Sequence, residues 1–179
     1  MRRLLFVKML AGAAALLAPI SASLAGDSLS WAVIKGRIRR EFPAVPEITT
    51  SELAEWLADP KRPRPILLDV RAKPEFDTSH LDLARQVDPG SAPAALAIAK
   101  DTPVVTYCSV GYRSAAFAEK LRAAGFRDVR NLEGSIFQWA NEGRPLVSAN
   151  GRAEKVHPFS SVWGMLLDKN RRSTIRTTR

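Results

Sequence analysis

The sequence is poor in the residues that build metal sites and disulfide frameworks. Its 179 residues include one cysteine, Cys108, and two histidines, His80 and His157. One cysteine excludes a disulfide within the chain, and no Cys/His spacing typical of a zinc site is present. We therefore expect neither a metal nor a cofactor.

The sequence also lacks the marks of a nucleic-acid-binding protein. The formal net charge is +9, but part of the excess comes from Arg2, Arg3 and Lys8 near the N-terminus. No basic stripe with interleaved aromatic residues and no RNA-binding signature occurs. Solvated surface charge explains the remainder, so no nucleic-acid partner is expected.

No apolar run is long enough to span a bilayer comfortably. Residues 1–25 have a basic start, an apolar stretch from Leu10 to Ile20, and small residues before Gly26. This layout predicts a signal peptide cleaved before Gly26 and export to the periplasm, with an uncleaved membrane anchor as the alternative. Structural cysteines of exported proteins usually come in pairs, so a lone cysteine there indicates reactivity.

Residues 26–46 are predicted to form an amphipathic helix and a linker. From Asp27 to Phe42, apolar residues recur at spacings of three and four with basic residues between them. Two interpretations stay open: the apolar stripe packs on the domain, or it contacts a membrane surface. Pro43 and Pro46 end the segment.

Residues 47–147 are predicted to form a single α/β domain, in which a parallel sheet is flanked by helices on both faces. The predicted strands are Ile66–Val70, Leu83–Val87, Pro103–Tyr107 and Asp128–Leu132. The predicted helices are Leu53–Leu57 after a capping box at Thr49 and Glu52, Ala92–Lys100, Ala115–Ala124 and Ile136–Asn141. Trp139 is expected to anchor the core.

Residues 148–179 form a basic C-terminal extension. Its apolar residues Trp163, Leu166 and Leu167 are expected to be buried against the domain. The last ten residues, which are rich in arginine, are expected to be disordered.

The stretch from Cys108 to Ser114 joins a buried strand to a helix. Such a turn directs free backbone amides and the positive end of the helix dipole at one point, so it binds anions. Those donors would stabilise the Cys108 thiolate, which makes this residue the predicted nucleophile. Gly111 allows the tight turn, Arg113 adds positive charge and Ser114 is placed to cap the helix. The predicted substrate-binding residues are Ser109, Val110, Gly111, Tyr112, Arg113 and Ser114.

The loop resembles the active-site loop of rhodaneses, the single-cysteine sulfurtransferases. The resemblance extends to two further groups of residues along the chain. They are Pro65–Arg71 with Glu75, Phe76, His80 and Leu81, and Gly125, Phe126, Asn131–Trp139 and Gly143–Leu146. The resemblance implies that Asp69 and Arg71 support the loop. It also implies that His80 belongs to the fold signature and does not serve as a base.

Three classes of function remain open. The first is a sulfurtransferase that carries sulfur as a Cys108 persulfide. The second is a phosphatase or arsenate reductase, whose loops have one residue more between cysteine and arginine than the four between Cys108 and Arg113. The third is a non-catalytic rhodanese-like interaction module, although such modules commonly lack the cysteine.

The sulfurtransferase interpretation implies a particular sulfur donor and acceptor. The donor would be a small sulfur-containing anion such as thiosulfate, and the acceptor a thiol or a protein. Ser109 and Val110 supply no second positive charge, so poor use of thiosulfate is one expectation. The N-terminus is a further candidate for membrane contact.

Overall fold

The computed structural model describes residues 22–174 of the chain. Most of the predicted signal peptide, and residues 175–179, therefore lie outside the described residues. The strands are β1 (Glu47–Ile48), β2 (Ile66–Asp69), β3 (Arg85–Gln86), β4 (Val104–Tyr107), β5 (Val129–Leu132), β6 (Leu146–Ser148) and β7 (Gly151–Ala153). The α-helices are α1 (Ala22–Glu41), α2 (Thr50–Ala58), α3 (Lys73–Thr78), α4 (Tyr112–Ala123) and α5 (Ser135–Asn141).

The first five strands form one parallel sheet in the order β1-β5-β4-β2-β3. Strand β4 lies at its centre and all four of its residues are buried. Val104 packs on one face of the sheet with Phe117 and Leu121 of α4. Val105 packs on the other face with residues of α2 and α5. The predicted α/β fold with helices on both faces is confirmed.

Two local predictions in this domain are confirmed. Thr49 and Glu52 form the expected capping box, with the Glu52 amide donating to Thr49 Oγ1 at 3.2 Å and the Thr49 amide donating to Glu52 Oε2 at 2.8 Å. Trp139 is buried, and its indole N–H donates to the Pro145 carbonyl at 2.9 Å. Both arrangements follow from the local sequence.

The predicted helix Ala92–Lys100 is wrong. The chain makes only one 3-10 turn, Pro93–Leu96, and then enters the left-handed region at Ala97. None of the four residues of that turn is buried. Alanine has a high helix propensity, but a short helix without a buried apolar face gains too little from packing to persist. The predicted strand Leu83–Val87 shortens to β3 because Leu83 is itself left-handed.

Helix α1 is helical from the first described residue, Ala22, so it includes residues before the predicted start at Asp27, and it packs on the domain. Ile38 is buried, and Ile34 packs partly buried against the core. Lys35 forms an ion pair with Glu133 at 2.6 Å. These contacts place the apolar side chains Ile34 and Ile38 of α1 against the domain. In residues 22–174 no helix has both the length and the apolar character needed to cross a membrane.

The C-terminal extension is ordered further than predicted. Val156 and Leu167 are buried in the core. The Val156 amide donates to the Arg171 carbonyl at 2.7 Å, and the Ser173 amide donates back to Val156 at 2.9 Å. The expectation of disorder from residue 170 is thus wrong for residues 170–174. A basic composition does not prevent order where the backbone hydrogen bonds can be made to a buried neighbour.

Truncation of the extension tests this backbone pairing. Removing residues 170–179 should lower the melting temperature by about 4–10 °C, because it breaks the two hydrogen bonds to Val156 and exposes apolar surface. Removing only residues 175–179 keeps those bonds and serves as the matched control. Differential scanning calorimetry of both forms gives the comparison. Equal melting temperatures for the two truncations would contradict the assigned pairing.

Candidate active site

The loop after β4 makes a tight turn at Gly111. Its φ is +110°, and a Cβ there would lie 3.4 Å from both Ile38 Cδ1 and Asn131 Nδ2. Any other residue would be strained by its backbone conformation and crowded by α1 and β5. Gly111 therefore lets the chain pass from Cys108 into α4 within three residues.

Cys108 lies at the base of this loop with only 1% of its surface exposed. The Gly111 amide donates to Cys108 Sγ at 3.2 Å. The Cys108 amide donates to Ser135 Oγ at 3.1 Å, so it does not face the loop interior. In the part of the chain that the structure describes, the amides of Ser109 and Val110 make no hydrogen bond. The first backbone amide of this loop that can donate a hydrogen bond to a bound anion is therefore that of Ser109.

Ser114 does not cap the helix, contrary to expectation. Gly111 occupies the cap position, and Ser114 is the third residue of α4 and fully buried. Its hydroxyl donates to Asn131 Oδ1 at 2.6 Å, and Asn131 Nδ2 donates to the Gly111 carbonyl at 3.1 Å. Ser114 therefore fixes the loop from behind by orienting Asn131.

Glu75 of α3 holds the loop arginine. Its Oε1 accepts from Arg113 Nη2 at 2.9 Å, and its Oε2 accepts from Arg113 Nη1 at 3.1 Å. The Ser109 hydroxyl also donates to Oε1, at 3.1 Å, and the Ala72 amide donates to Oε2 at 3.0 Å. This bidentate pair fixes the plane of the guanidinium group. The sequence indicates Glu75 only as part of a motif and does not predict its contact with Arg113.

Glu75 and Arg113 each shift the pKa of the other in the direction that keeps it charged. Burial by itself would raise the pKa of Glu75, but Arg113, the Ala72 amide and the charge of Arg71 together hold that pKa below its usual value. Burial would lower the pKa of Arg113, but Glu75 and the neighbouring Cys108 side chain raise it overall. Both groups are thus ionised at neutral pH, and the arginine charge acts beside Cys108.

Asp69 and Arg71 lie apart from the cavity described below. Both are fully buried, and Arg71 Nη2 contacts Asp69 Oδ2 at 2.6 Å and the Ser79 carbonyl at 2.6 Å. They fix the chain that leaves β2. His80 likewise is engaged locally: its Nδ1 lies 3.0 Å from the Phe76 carbonyl and its ring stacks on the Phe76 ring. This pairing agrees with the choice not to assign His80 as a base.

A cavity of about 380 Å³ opens above Cys108. Three separate parts of the chain line it: α1, the loop with the start of α4, and the C-terminal extension. The lining residues are Val33, Ile34, Arg37, Cys108, Ser109, Val110, Tyr112, Arg113, Phe159 and Trp163. The structure thus brings Cys108, Ser109, Val110, Tyr112 and Arg113 together, as predicted.

Half of the cavity wall was not predicted. Trp163 was expected in the core but is 37% exposed at the cavity. Val33, Ile34 and Arg37 come from α1, more than 70 residues before Cys108, and Phe159 comes from the extension. The only sequence signal was the apolar pattern of α1, which does not say what a helix covers.

The α/β domain matches a known protein family. The family model of the rhodanese-like domain matches residues 49–142. The chain belongs to the rhodanese-like domain family. The matched part of this rhodanese-like protein contains Asp69, Arg71, Glu75 and the whole Cys108 loop. Helix α1 and the C-terminal extension lie outside it.

Relatives of this rhodanese-like protein include sulfurtransferases. A sulfurtransferase of Allochromatium vinosum is 34% identical over 108 residues, covering 60% of this chain and 99% of that protein. The probable adenylyltransferase/sulfurtransferase MoeZ of Mycobacterium tuberculosis is 35% identical over 101 residues, 55% of this chain. The chain spans 25% of the length of that relative. These similarities place it among sulfurtransferase-like rhodanese proteins.

A solved structure shows the same fold. The rhodanese-like domain protein from Staphylococcus aureus is 30% identical and superposes with a TM-score of 0.51. The match covers 58% of this chain and 98% of that one. The other protein is therefore little more than the domain, whereas this chain adds α1 and the extension at the cavity.

Proposed function

We propose that this protein is a sulfurtransferase that carries sulfane sulfur on Cys108. One observation carries the proposal: in a rhodanese-like domain, Cys108 Sγ lies at the base of a cavity, accepts a hydrogen bond from Gly111 and has Arg113 beside it. The arrangement combines a nucleophile with donors for anionic sulfur. Such a combination is suited to covalent transfer in two steps.

In the first step the Cys108 thiolate attacks the terminal sulfur of a donor such as thiosulfate. A bond forms between Sγ and that sulfur, and the donor's own S–S bond breaks, with its electron pair leaving on sulfite. The product is a persulfide anion on Cys108. The Gly111 amide and the amides of Ser109 and Val110 are the donors proposed to stabilise it.

In the second step a nucleophilic acceptor attacks the outer sulfur of the persulfide. The S–S bond on Cys108 breaks, and its electron pair regenerates the thiolate. A low-molecular-weight thiol or a protein thiol is the proposed acceptor, and cyanide is a convenient laboratory substitute. No residue has to shuttle a proton when donor and acceptor both react as anions.

The loop length favours sulfur over phosphate. Four residues separate Cys108 from Arg113, and the turn is closed by the Gly111 amide on Sγ. Glu75 accepts one hydrogen bond from each amino group of Arg113, so part of the donor set that a transferring phosphoryl group would use is already engaged. The presence of the cysteine supports an enzyme over a non-catalytic module.

Intact-mass spectrometry tests the proposal directly. Protein incubated with inorganic polysulfide should gain the mass of one sulfur atom, and cyanide should remove it as thiocyanate. The Cys108→Ser variant should gain nothing, because an alcohol at neutral pH is too weak a nucleophile toward sulfur. Wild-type protein that never gains sulfur from any donor would overturn the proposal.

A further inference from the structure

The cavity above Cys108 is walled by segments that the rhodanese-like domain does not include. Val33, Ile34 and Arg37 precede the matched residues 49–142, and Phe159 and Trp163 follow them. Four of these five side chains are apolar. The part of the site that is particular to this chain therefore presents carbon surface to whatever reaches Cys108.

Large exposed hydrophobic side chains concentrate at the same place. Val33, Tyr112, Phe159 and Trp163 are 62%, 37%, 45% and 37% exposed, and all four line the cavity. Clustered apolar surface of this kind marks binding sites, whereas single exposed residues do not. The volume of about 380 Å³ is in the range of small-molecule pockets, about 300–1,000 Å³.

Both arginines that line the cavity are paired with carboxylates. Arg37 pairs with Glu41 at 2.7 Å, and Arg113 pairs with Glu75 at 2.9 Å. Thiosulfate, a dianion without an apolar body, would gain no contact with this wall and would have to draw Arg113 away from Glu75 to balance its second charge. A monoanion needs only the loop amides, so the cavity suits a donor with a single negative charge.

Phe159 is held at the cavity in a strained conformation. Its φ is +63°, which is rare for a bulky residue, and its ring lies 4.8 Å from the Arg113 guanidinium carbon. Backbone strain of this kind persists where the surrounding structure imposes it, and it is common at ligand sites. The ring thus forms a fixed apolar wall next to the group that faces Cys108.

We propose that the sulfur donor is an organic monoanion with an apolar body of about ring size, of the thiosulfonate or hydropersulfide class. This inference rests on the proposed sulfur transfer at Cys108. The body lies between Phe159, Trp163 and the Val33 side of α1, and its terminal sulfur points at Sγ. With a thiosulfonate, the Sγ–S bond forms, the donor's S–S bond breaks, and the electron pair leaves on a sulfinate. Charge and atoms balance without an oxidant or a proton.

Two sulfur donors that differ only in their apolar group test the contact between that group and the cavity wall. Benzenethiosulfonate and methanethiosulfonate carry the same charge and the same reacting bond. The rate at which the full chain loads sulfur onto Cys108 is divided, for each donor, by the rate at which that donor reacts with a free thiol. This normalised rate should be about 10-fold higher for benzenethiosulfonate than for methanethiosulfonate. Single-turnover rates are followed by intact mass and by sulfinate release.

Substitutions of residues in the cavity wall then show which side chains produce the preference for the phenyl donor. Phe159→Ala and Trp163→Ala should each reduce the phenyl preference by about 3- to 10-fold. The preference is the ratio of the two donor rates within one variant, so a general loss of activity cancels from it, and the melting temperature of each variant shows whether it is folded. Met165→Ala is the matched control, because Met165 lies on the same 3-10 turn as Trp163 and is exposed without lining the cavity.

The outcomes separate this inference from the proposed function. Equal relative rates for the two thiosulfonates, or a phenyl preference unchanged in both wall variants, would overturn the inference while Cys108 still gains sulfur. Thiosulfate loading faster than benzenethiosulfonate would overturn it as well. Failure of every donor, inorganic polysulfide included, would overturn the sulfur-transfer proposal itself.

Discussion

Replacing Glu75 with glutamine is expected to slow sulfur loading on Cys108 by about 10- to 100-fold, the effect of losing a buried hydrogen bond to a charged group. The carboxylate accepts from both amino groups of Arg113 and from the Ala72 amide. An amide has one oxygen, so its NH2 group must face another donor. Arg113 would then leave its fixed position beside Cys108. The rate is measured with polysulfide in single turnover.

The acid dependence of stability distinguishes this positioning role from a loss of packing. The folded-state pKa of Glu75 is below its usual value, because Arg113, the Ala72 amide and Arg71 together outweigh the burial that would raise it. The carboxylate therefore adds stability above its unfolded-state pKa, and this stability is lost as the pH falls through the folded-state pKa. The unfolding free energies of wild type and Glu75→Gln should converge as the pH falls from about 7 to about 3.

Two further variants complete the test of Glu75. Glu119→Gln, an exposed position on α4, makes the same chemical change away from the cavity and should match wild type. Arg113→Lys should keep the charge but lose the planar fork, and it should slow loading at least as much as Glu75→Gln. A Glu75→Gln protein with a wild-type loading rate would show that the pair contributes only to the fold.

The parts of the site that the sequence predicted are local in the chain. The strand, the turn at Gly111 and the helix after it occupy residues 103–123, so β propensity, glycine and the alanine-rich run indicate them directly. Cys108 and Arg113 fall within that stretch. The parallel sheet followed in the same way from alternating strands and helices.

The parts that were missed depend on contacts between distant residues. Glu75 reaches Arg113 across 38 positions, and Phe159 reaches it from the extension. The spacing of apolar residues predicts an amphipathic helix α1, but the surface that it covers is decided by packing. Trp163 shows the same limit, since an aromatic residue in an apolar segment suits a core and a binding wall equally well.

The errors in secondary structure have a similar origin. Ala92–Lys100 has helix propensity but no buried face, and tertiary contacts supply most of the stability of short helices. Ser114 was placed as a cap from its residue type, whereas its burial against Asn131 gives it another partner. Propensity and residue type are weak guides wherever a tertiary contact competes with them.

Inserting one glycine after Val110 is expected to reduce sulfur loading by about 100-fold or more, the effect of removing a donor from an oxyanion hole. The insertion removes no chemical group. It displaces the Gly111 amide from Cys108 Sγ, where it now lies at 3.2 Å, and breaks the position that Asn131 fixes through the Gly111 carbonyl. It also lengthens the spacing between Cys108 and Arg113.

A glycine inserted between Ala149 and Asn150 is the matched control for the loop insertion. That turn joins β6 to β7 at the surface, so the control should load sulfur at the wild-type rate. Hydrolysis of an aryl phosphate is measured beside it and should be slow in the wild type and in the control, because both keep the four-residue spacing between Cys108 and Arg113. Full loading by the loop insertion would show that the tight turn is dispensable. Rapid phosphate hydrolysis by a wild-type protein that never gains sulfur would assign Cys108 to phosphoryl transfer.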